Sequence, residues 1–226
     1  KKFVEKSVPN LKSNNLDNLH KIYNKKNINN LRLNIFKKIN SKLNWENLIF
    51  KMCSDDLFKF LGQDLLIQSK INLSIQMPND ETSVLPIHSD SWSSDSPFQM
   101  NLWIPLTNAF ETNSMFLFDK KKSLNVFKKI SKGELKNINN LKINKKNFFK
   151  INFGQILFFN PALLHGNVLN KTNKTRISLN LRVKSLFSPQ PNQNHPDRRY
   201  GTYYKTFNLS ENTQFGIDII KTDFFK

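Results

Sequence analysis

The chain has 226 residues, a single cysteine and a formal net charge of +18 at pH 7. Its length is enough for one domain with a substantial core, and one cysteine excludes an intrachain disulfide or a cysteine-based zinc site. There is no run of about 18 apolar residues of the kind that forms a membrane helix, and the first residues lack the apolar core of a signal peptide. We therefore expect one soluble, cytoplasmic domain over residues 1–226.

The positive charge has two explanations. Of the 35 basic residues only five are Arg, and the 30 Lys are spread along a chain that also uses much Asn, Ile and Phe. An AT-rich genome encodes these residues most readily, which explains the charge without a function. Binding to a polyanion is the alternative, but no basic stripe alternates with exposed aromatics as in a nucleic-acid-binding surface. We therefore expect neither a nucleic-acid partner nor a membrane partner.

Residues 1–69 are expected to form a helical layer. Apolar residues recur at three- and four-residue steps between residues 16 and 52, which is the period of a helix with one buried face. Residues 54–56 resemble a helix start and Gly62 resembles a helix stop. This layer is expected to pack against a sheet.

A jelly-roll core is expected over residues 70–184. Apolar and polar residues alternate along several segments, which is the period of a strand with two different faces. A connection rich in Lys and Asn interrupts the core at 119–150, with a short helix near 124–130, and an irregular tail follows at 185–226. The predicted strands are 71–77, 84–90, 98–106, 115–118, 156–159 and 176–183.

The last predicted strand has two chemically distinct faces. Arg176, Ser178, Asn180 and Arg182 share one face, whereas the residues between them are apolar. An ordinary half-buried strand turns its polar face to water. If a barrel closes with this face inward, the same four residues line a cavity. The strand alone does not decide between these two arrangements.

Three residues have the side chains of a non-heme iron site. His88 and Asp90 are two residues apart, and such positions project from one face of a strand. Together with the distant His165 they form the facial triad that suits iron(II) with three open positions, whereas zinc prefers a tetrahedral site with one. A second His-x-Asp pair begins at His195, but Pro196 interrupts it and we do not expect it to bind metal.

Three open positions match the needs of a 2-oxo acid and dioxygen. A bidentate 2-oxoglutarate takes two of them and dioxygen takes the third. The distal carboxylate of 2-oxoglutarate then needs a fixed partner, and an Arg supplies a charged, planar fork. Arg176 follows His165 by eleven residues in a chain with few Arg, and Ser178 can donate its hydroxyl to the same carboxylate.

These motifs resemble the Fe(II)/2-oxoglutarate-dependent oxygenases of the phytanoyl-CoA dioxygenase-like group. More narrowly, the chain resembles bacterial oxygenases of carbohydrate and antibiotic-sugar gene clusters, over about residues 70–190. The resemblance implies a mainly β fold, a double-stranded β-helix of the jelly-roll or cupin type, with flanking helices. It also implies that His88, Asp90 and His165 bind iron and that Arg176 binds 2-oxoglutarate. The resemblance rests on residues 74–76, 85–92, 96–99, 102–106, 163–167 and 175–182.

Polar strand faces supply further candidates for the site. Trp103 suits either a cavity wall or the core. Arg182 faces the same way as Arg176, and it either holds an anionic substrate group or forms a structural ion pair. The candidates for binding the cosubstrate beside Arg176 and Ser178 are Gln76 and Asn101. The candidates for the substrate side are Trp92, Gln99, Trp103 and Arg182.

The expected function is therefore that of an oxidoreductase, a dioxygenase that hydroxylates a small polar metabolite and releases succinate and CO2. The resemblance implies a sugar or nucleotide-sugar as substrate. Hydroxylation is favoured over halogenation because the halogenating relatives lack the carboxylate that Asp90 supplies. One alternative is a cupin-like metal-dependent isomerase or lyase, which gives no reason for an inward Arg176. The other is a basic jelly-roll protein that binds polyanions without catalysis. The oligomeric state stays open.

Overall fold

The computed structural model describes residues 1–11, 15–93, 95–189 and 200–222. Within these ranges the protein is built mainly from antiparallel strands with flanking helices. The helices are α1 (Lys2–Ser7), α2 (Ile28–Lys42), α3 (Trp45–Leu61), α4 (Lys120–Ser131) and α5 (Glu211–Ile220). The strands are β1 (Leu65–Gln68), β2 (Asn72–Gln76), β3 (Gln99–Pro105), β4 (Phe116–Leu117), β5 (Leu157–Phe159), β6 (His165–Gly166), β7 (Arg176–Ser185) and β8 (Tyr204–Asn208).

Strand β7 is the centre of the main sheet. It pairs with β3 along one edge, and with β2 and then β1 along the other. Strand β5 lies outside β3, strand β8 lies outside β1, and all of these pairs are antiparallel. The register places Gln76 opposite Arg176 and Ser74 opposite Ser178. The antiparallel sheet with helices that the sequence predicted is therefore confirmed.

The two faces of β7 belong to different parts of the protein. Ile177, Leu181 and Val183 lie in the main apolar core together with residues of helices α1 to α3. The alternate residues face a cavity on the other side of the sheet, where the predicted site lies. Of the two arrangements left open for this strand, the structure has the one with the polar face turned inward.

A small second sheet covers that polar face. Strands β4 and β6 pair in antiparallel register, and His88 forms a single bridge with His165 beside them. A second apolar cluster lies behind this sheet and includes Phe116, Phe118 and Val126 of α4. The helix predicted near 124–130 is thus present, and it extends over Lys120–Ser131 because Asp119 caps its first turn.

The predicted strand at 84–90 is wrong. Only His88 forms a bridge, and Asp90 begins a 3₁₀ helix that runs to Ser93. Pro86 has no N–H for a strand ladder. The amide of Asp90 and the hydroxyl of Ser89 both donate to the carbonyl of Pro161, at 3.1 and 3.0 Å, which draws this stretch out of strand geometry.

The sheet also extends beyond the predicted boundaries of the core. Strand β1 lies inside the stretch that we assigned to the helical layer, where its four residues are all buried. Strand β8 and helix α5 lie in the stretch that we expected to be irregular. Because β1 pairs with β7 and with β8, partners that are distant in the chain decide the structure of both strands. Among the described residues, no helix combines the length and apolarity needed to cross a membrane.

Cys53 is expected to be unreactive in the native protein. Burial, with Asp56 nearby, raises the pKa of its thiol to about 11, so the thiol stays protonated at pH 8. Labelling with an aromatic disulfide reagent at pH 8 should therefore be slow, and should reach one thiol per chain in guanidinium chloride. Rapid stoichiometric labelling of the native protein would contradict the burial of this side chain.

Candidate metal centre

Two imidazoles and one carboxylate converge at the end of the cavity. The Nε2 atom of His88 lies 3.4 Å from Oδ1 of Asp90, and Nε2 of His165 lies 3.7 Å from the same oxygen. All three ligand atoms lie within 4.8 Å of one another. Of the residues described, these three form the group that can hold a metal ion.

Backbone contacts set the positions of the two histidines. The amide of each histidine donates to the carbonyl of the other at 2.9 Å, so the two rings lie side by side with centroids 4.3 Å apart. Asp90 reaches the same point from the first turn of its 3₁₀ helix rather than from a strand. Strand alternation predicted that His88 and Asp90 would project to the same side. They do, but Asp90 is placed by a 3₁₀ helix and not by a strand.

Both imidazoles present the same nitrogen to the centre. Nδ1 of His88 lies 2.8 Å from the carbonyl of Pro86, and Nδ1 of His165 lies 2.8 Å from that of Leu163. Because a carbonyl only accepts hydrogen bonds, each Nδ1 carries a proton, and Nε2 is the nitrogen of each ring that faces the centre. Contacts of this kind fix the tautomer and the orientation of metal-binding histidines.

The protonation states of Asp90 and His165 also suit metal binding, whereas burial would lower the pKa of His88 but its hydrogen bonds with Asp90 and Pro86 raise it. Burial lowers the pKa of His165 to about 4, so its ring is neutral near pH 7. Burial would raise the pKa of Asp90, but the hydrogen bond with His88 and the charge of Arg182 outweigh it, and the pKa falls well below its usual range. At neutral pH the site therefore contains an ionised carboxylate and a neutral His165 imidazole, which are the forms that bind metal.

Arg176 lies in the same cavity, completely buried. Its Nε donates to the carbonyl of Asn113 at 3.1 Å, and Nη1 donates to the hydroxyls of Ser74 and Ser178 at 2.8 Å. Nη2 donates to Oε1 of Gln76 at 3.0 Å. Burial lowers the pKa of Arg176 to about 10, so it stays charged at neutral pH.

This guanidinium lacks a negative partner within the part of the chain that the structure describes. No carboxylate in those ranges forms an ion pair with it, although a buried charge is costly unless it is paired. The cavity that joins it to the metal centre has a volume of about 260 Å³. An anionic ligand in this cavity would supply the missing charge.

Some of the remaining predicted residues line the cavity and others lie behind it. Ser178, Trp103 and Arg182 line the cavity. Gln76 and Asn101 are fully buried behind it, where Gln76 contacts Arg176 and Asn101 contacts Asp90.

Two of the residues predicted for the substrate side do not line this cavity. Gln99 is buried and accepts a hydrogen bond from the Tyr204 hydroxyl. Trp92 is 43% exposed and packs edge-on against Phe127 of α4. His195 lies outside the described residues.

Sequence reasoning missed several residues of the site. Ser74 shares the polar face of β2 with Gln76, so the same alternation could have identified it. Asp95 follows the 3₁₀ helix and forms an ion pair with Arg182, for which no local pattern gives a signal. Gly166 lies where the chain at 85–86 crosses β6, and a side chain there would meet backbone.

Gly166→Ala is expected to destabilise both the fold and the metal centre. A Cβ atom would lie 2.6 Å from the carbonyl oxygen of Leu85 and 2.8 Å from that of Pro86. Overpacking of this kind typically costs about 1–3 kcal/mol, and relief requires a movement of the segment that leads to His88. Gly216→Ala is the matched control, since its Cβ would meet nothing within 4 Å. Equal denaturant stability and equal Co(II) affinity of the two variants would contradict this role.

The donor set fits a divalent first-row transition metal. Two imidazole nitrogens and one carboxylate oxygen on one side leave the cavity side open, which matches the facial arrangement of non-heme iron(II) sites. The fold and the centre together define a mainly antiparallel β protein with a His-Asp-His group that can hold a metal ion.

Comparison with known proteins gives distant similarities. No family model matches the chain. The sequence is 25% identical over 125 residues to the streptomycin biosynthesis protein StrG of Streptomyces griseus, a match that covers 55% of this chain and 47% of that protein. The match therefore spans about half the length of the curated relative.

Among solved structures, HygX from Streptomyces hygroscopicus, with nickel and 2-oxoglutarate bound, is 13% identical with a TM-score of 0.48, covering 76% of each chain. The apo form of the non-heme monooxygenase ThoJ is 16% identical with a TM-score of 0.49, covering 70% of this chain and 58% of that chain. Since these TM-scores lie below 0.5, the function proposed below rests on the residues of the site.

Proposed function

We propose that this protein is an Fe(II)- and 2-oxoglutarate-dependent dioxygenase that hydroxylates a small polar metabolite. The observation that carries this proposal is the position of Arg176. It is a buried, charged guanidinium without a carboxylate partner among the described residues, and it shares one cavity with the His-Asp-His group. A dicarboxylate that also binds the metal is a ligand that satisfies both ends of this cavity. We assign the scaffold to the double-stranded β-helix type.

The hydroxyls beside Arg176 support a carboxylate ligand. Ser74 and Ser178 each accept a hydrogen bond from Nη1 of Arg176, so each hydroxyl proton remains free to donate. Both residues line the cavity. A carboxylate next to the guanidinium would therefore meet two hydroxyl donors as well as the positive charge, which are charge-assisted contacts of the stronger kind.

The chain holds the other end of the ligand through the metal centre. His88, Asp90 and His165 supply one atom each, and Trp103 and Phe159 line the same cavity. When bound, iron(II) and 2-oxoglutarate supply a strong oxidant from dioxygen and release succinate and CO2. The protein's part is to orient the cosubstrate, to hold the three donor atoms together and to place the substrate next to the open positions.

The substrate class is a sugar, a nucleotide-sugar or a similar polar metabolite. The similarity to a streptomycin biosynthesis protein over 125 residues supports a biosynthetic role. The amides of Asn72 and Asn180 line the cavity, and they can exchange hydrogen bonds with hydroxyl groups. Succinate release that depends on one member of a panel of sugars and nucleotide-sugars would identify the substrate.

Anaerobic titration with Fe(II) and 2-oxoglutarate tests the proposal. The ternary complex of the wild-type protein should give the weak visible charge-transfer band of a chelated 2-oxo acid, and admission of dioxygen should yield succinate. His88→Ala should lose the band. If the wild-type protein binds Fe(II) but gives neither band nor succinate, the isomerase or lyase alternative is favoured. Absence of stoichiometric metal, with salt-sensitive polyanion binding, would favour the non-catalytic alternative.

A further inference from the structure

Asp90 has a second carboxylate oxygen that points away from the metal centre. We propose that Arg182 is a positioning residue which, together with Asn101, occupies this oxygen and so holds Asp90 as a one-oxygen metal ligand. The proposal concerns metal coordination itself, and it rests on the proposed function only for its consequence in catalysis. Nη2 of Arg182 lies 2.9 Å from Oδ2, and Nδ2 of Asn101 lies 2.6 Å from it.

The two oxygens of Asp90 have different surroundings. Oδ1 lies within 3.7 Å of the Nε2 atoms of both histidines, whereas Oδ2 receives the guanidinium and amide donors. The Asp90 side chain is only 9% exposed and that of Arg182 only 11%. With little solvent present, rotation of the carboxylate would leave buried donors without an acceptor, which costs about 1–3 kcal/mol for each group.

Arg182 is itself held from two further sides. Its Nε lies 2.8 Å from Oδ2 of Asp95, and its Nη1 donates to Oε1 of Gln68 at 3.3 Å. These contacts come from β1 and from the loop that follows Asp90, so the guanidinium, which β7 carries, joins three separate parts of the chain. A planar group with several partners has one orientation, which a flexible ammonium would not have.

Asn101 is oriented by a second set of contacts. Nε2 of Gln99 donates to Oδ1 of Asn101 at 3.2 Å, which leaves the amide nitrogen to face Asp90. Asn101 lies opposite Arg182 in the β3–β7 register, so neighbouring strands present both donors to one oxygen. Gln99 in turn accepts from the hydroxyl of Tyr204 in β8.

The chemical consequence is the number of open metal positions. A facial triad leaves three positions, which a bidentate 2-oxo acid and dioxygen fill. If Asp90 used both oxygens, it would take one of these positions. Occupation of Oδ2 by Arg182 and Asn101 therefore preserves the third position. These contacts favour the ion-pair alternative for Arg182 over a role in holding an anionic substrate group.

Arg182→Lys tests the proposal by Co(II) titration of the metal-free protein. The Lys keeps the charge but cannot contact Asp90, Asp95 and Gln68 together. Loss of a partner that orients a ligand typically lowers metal affinity about 10- to 100-fold, and we expect a loss in this range. The visible spectrum of bound Co(II) should also change, because it reports the coordination number. Arg32→Lys, on α2 outside the site, is the matched control and should retain the wild-type affinity and spectrum.

Wild-type Co(II) affinity and spectrum in a folded Arg182→Lys protein would overturn the proposal. If this variant does not fold, Asn101→Leu removes the other donor to Oδ2, and an unchanged Co(II) spectrum in that variant would overturn it instead. Failure of the proposed function would give a different experimental result. Wild-type protein that binds Co(II), but forms no 2-oxoglutarate-dependent band with Fe(II), would refute the dioxygenase while the Arg182 comparison stays decisive.

Discussion

His165→Ala is expected to abolish stoichiometric metal binding and, with it, 2-oxoglutarate-dependent succinate formation. Among the described residues, His165 supplies one of the three donor atoms of the centre, and its ring is neutral and oriented by the carbonyl of Leu163. The loss should exceed the effect of about 10- to 100-fold that follows removal of a residue that only orients a ligand. A remaining pair of His88 and Asp90 would have to hold the metal from one side.

Metal analysis after dialysis, together with Co(II) titration, measures this effect. His20→Ala is the control, because His20 lies outside the centre and its Nδ1 contacts the hydroxyl of Thr175 at 2.9 Å. The control should bind metal as the wild type does. If His165→Ala is folded and retains wild-type metal content, the centre described for this cavity is not the metal site of the protein.

Arg176→Lys is expected to weaken 2-oxoglutarate binding by about 10- to 100-fold while leaving metal affinity unchanged. Hydrogen bonds to charged groups contribute about 1.5–3 kcal/mol, and a Lys cannot reproduce the fork that contacts Ser74, Ser178 and Gln76 at once. The charge is retained, so the variant separates geometry from electrostatics. Asp90 and the two histidines make no hydrogen bond or ion pair with Arg176, which is why metal binding should persist.

The charge-transfer band at increasing 2-oxoglutarate concentration measures the loss. Arg32→Lys is again the matched control, since it makes the same chemical change on α2. Co(II) titration of both variants should give the wild-type affinity. A folded Arg176→Lys protein with an unchanged half-saturating concentration of 2-oxoglutarate would show that the distal carboxylate binds elsewhere.

The sequence predicted the ligand types of the centre more reliably than the elements that carry them. His88, Asp90 and His165 meet as expected, although the strand assigned to 84–90 is a single bridge followed by a 3₁₀ helix. Metal-ligand chemistry requires particular side chains, which are visible in a sequence. The backbone around them depends on the carbonyl of Pro161, which is distant in the chain.

The alternation of apolar and polar residues also predicted some features of the sheet and missed others. It correctly separated the two faces of β7, because one face needs apolar contacts with the helices and the other does not. It did not identify β1 or β8 as parts of the sheet. β1 pairs with β7 and β8 pairs with β1, and no local pattern reports pairing between such distant segments.

The sequence by itself determined which side chains can bind a metal and a carboxylate, since those properties belong to single residues and to their spacing. The tertiary structure alone decided how they are used. It left Arg176 buried with hydroxyl partners and placed Arg182 on the second oxygen of Asp90 rather than free in the cavity. The physical reason is that the partners of both arginines come from β1, β2 and distant loops, and only folding brings those charges and hydrogen-bonding groups together.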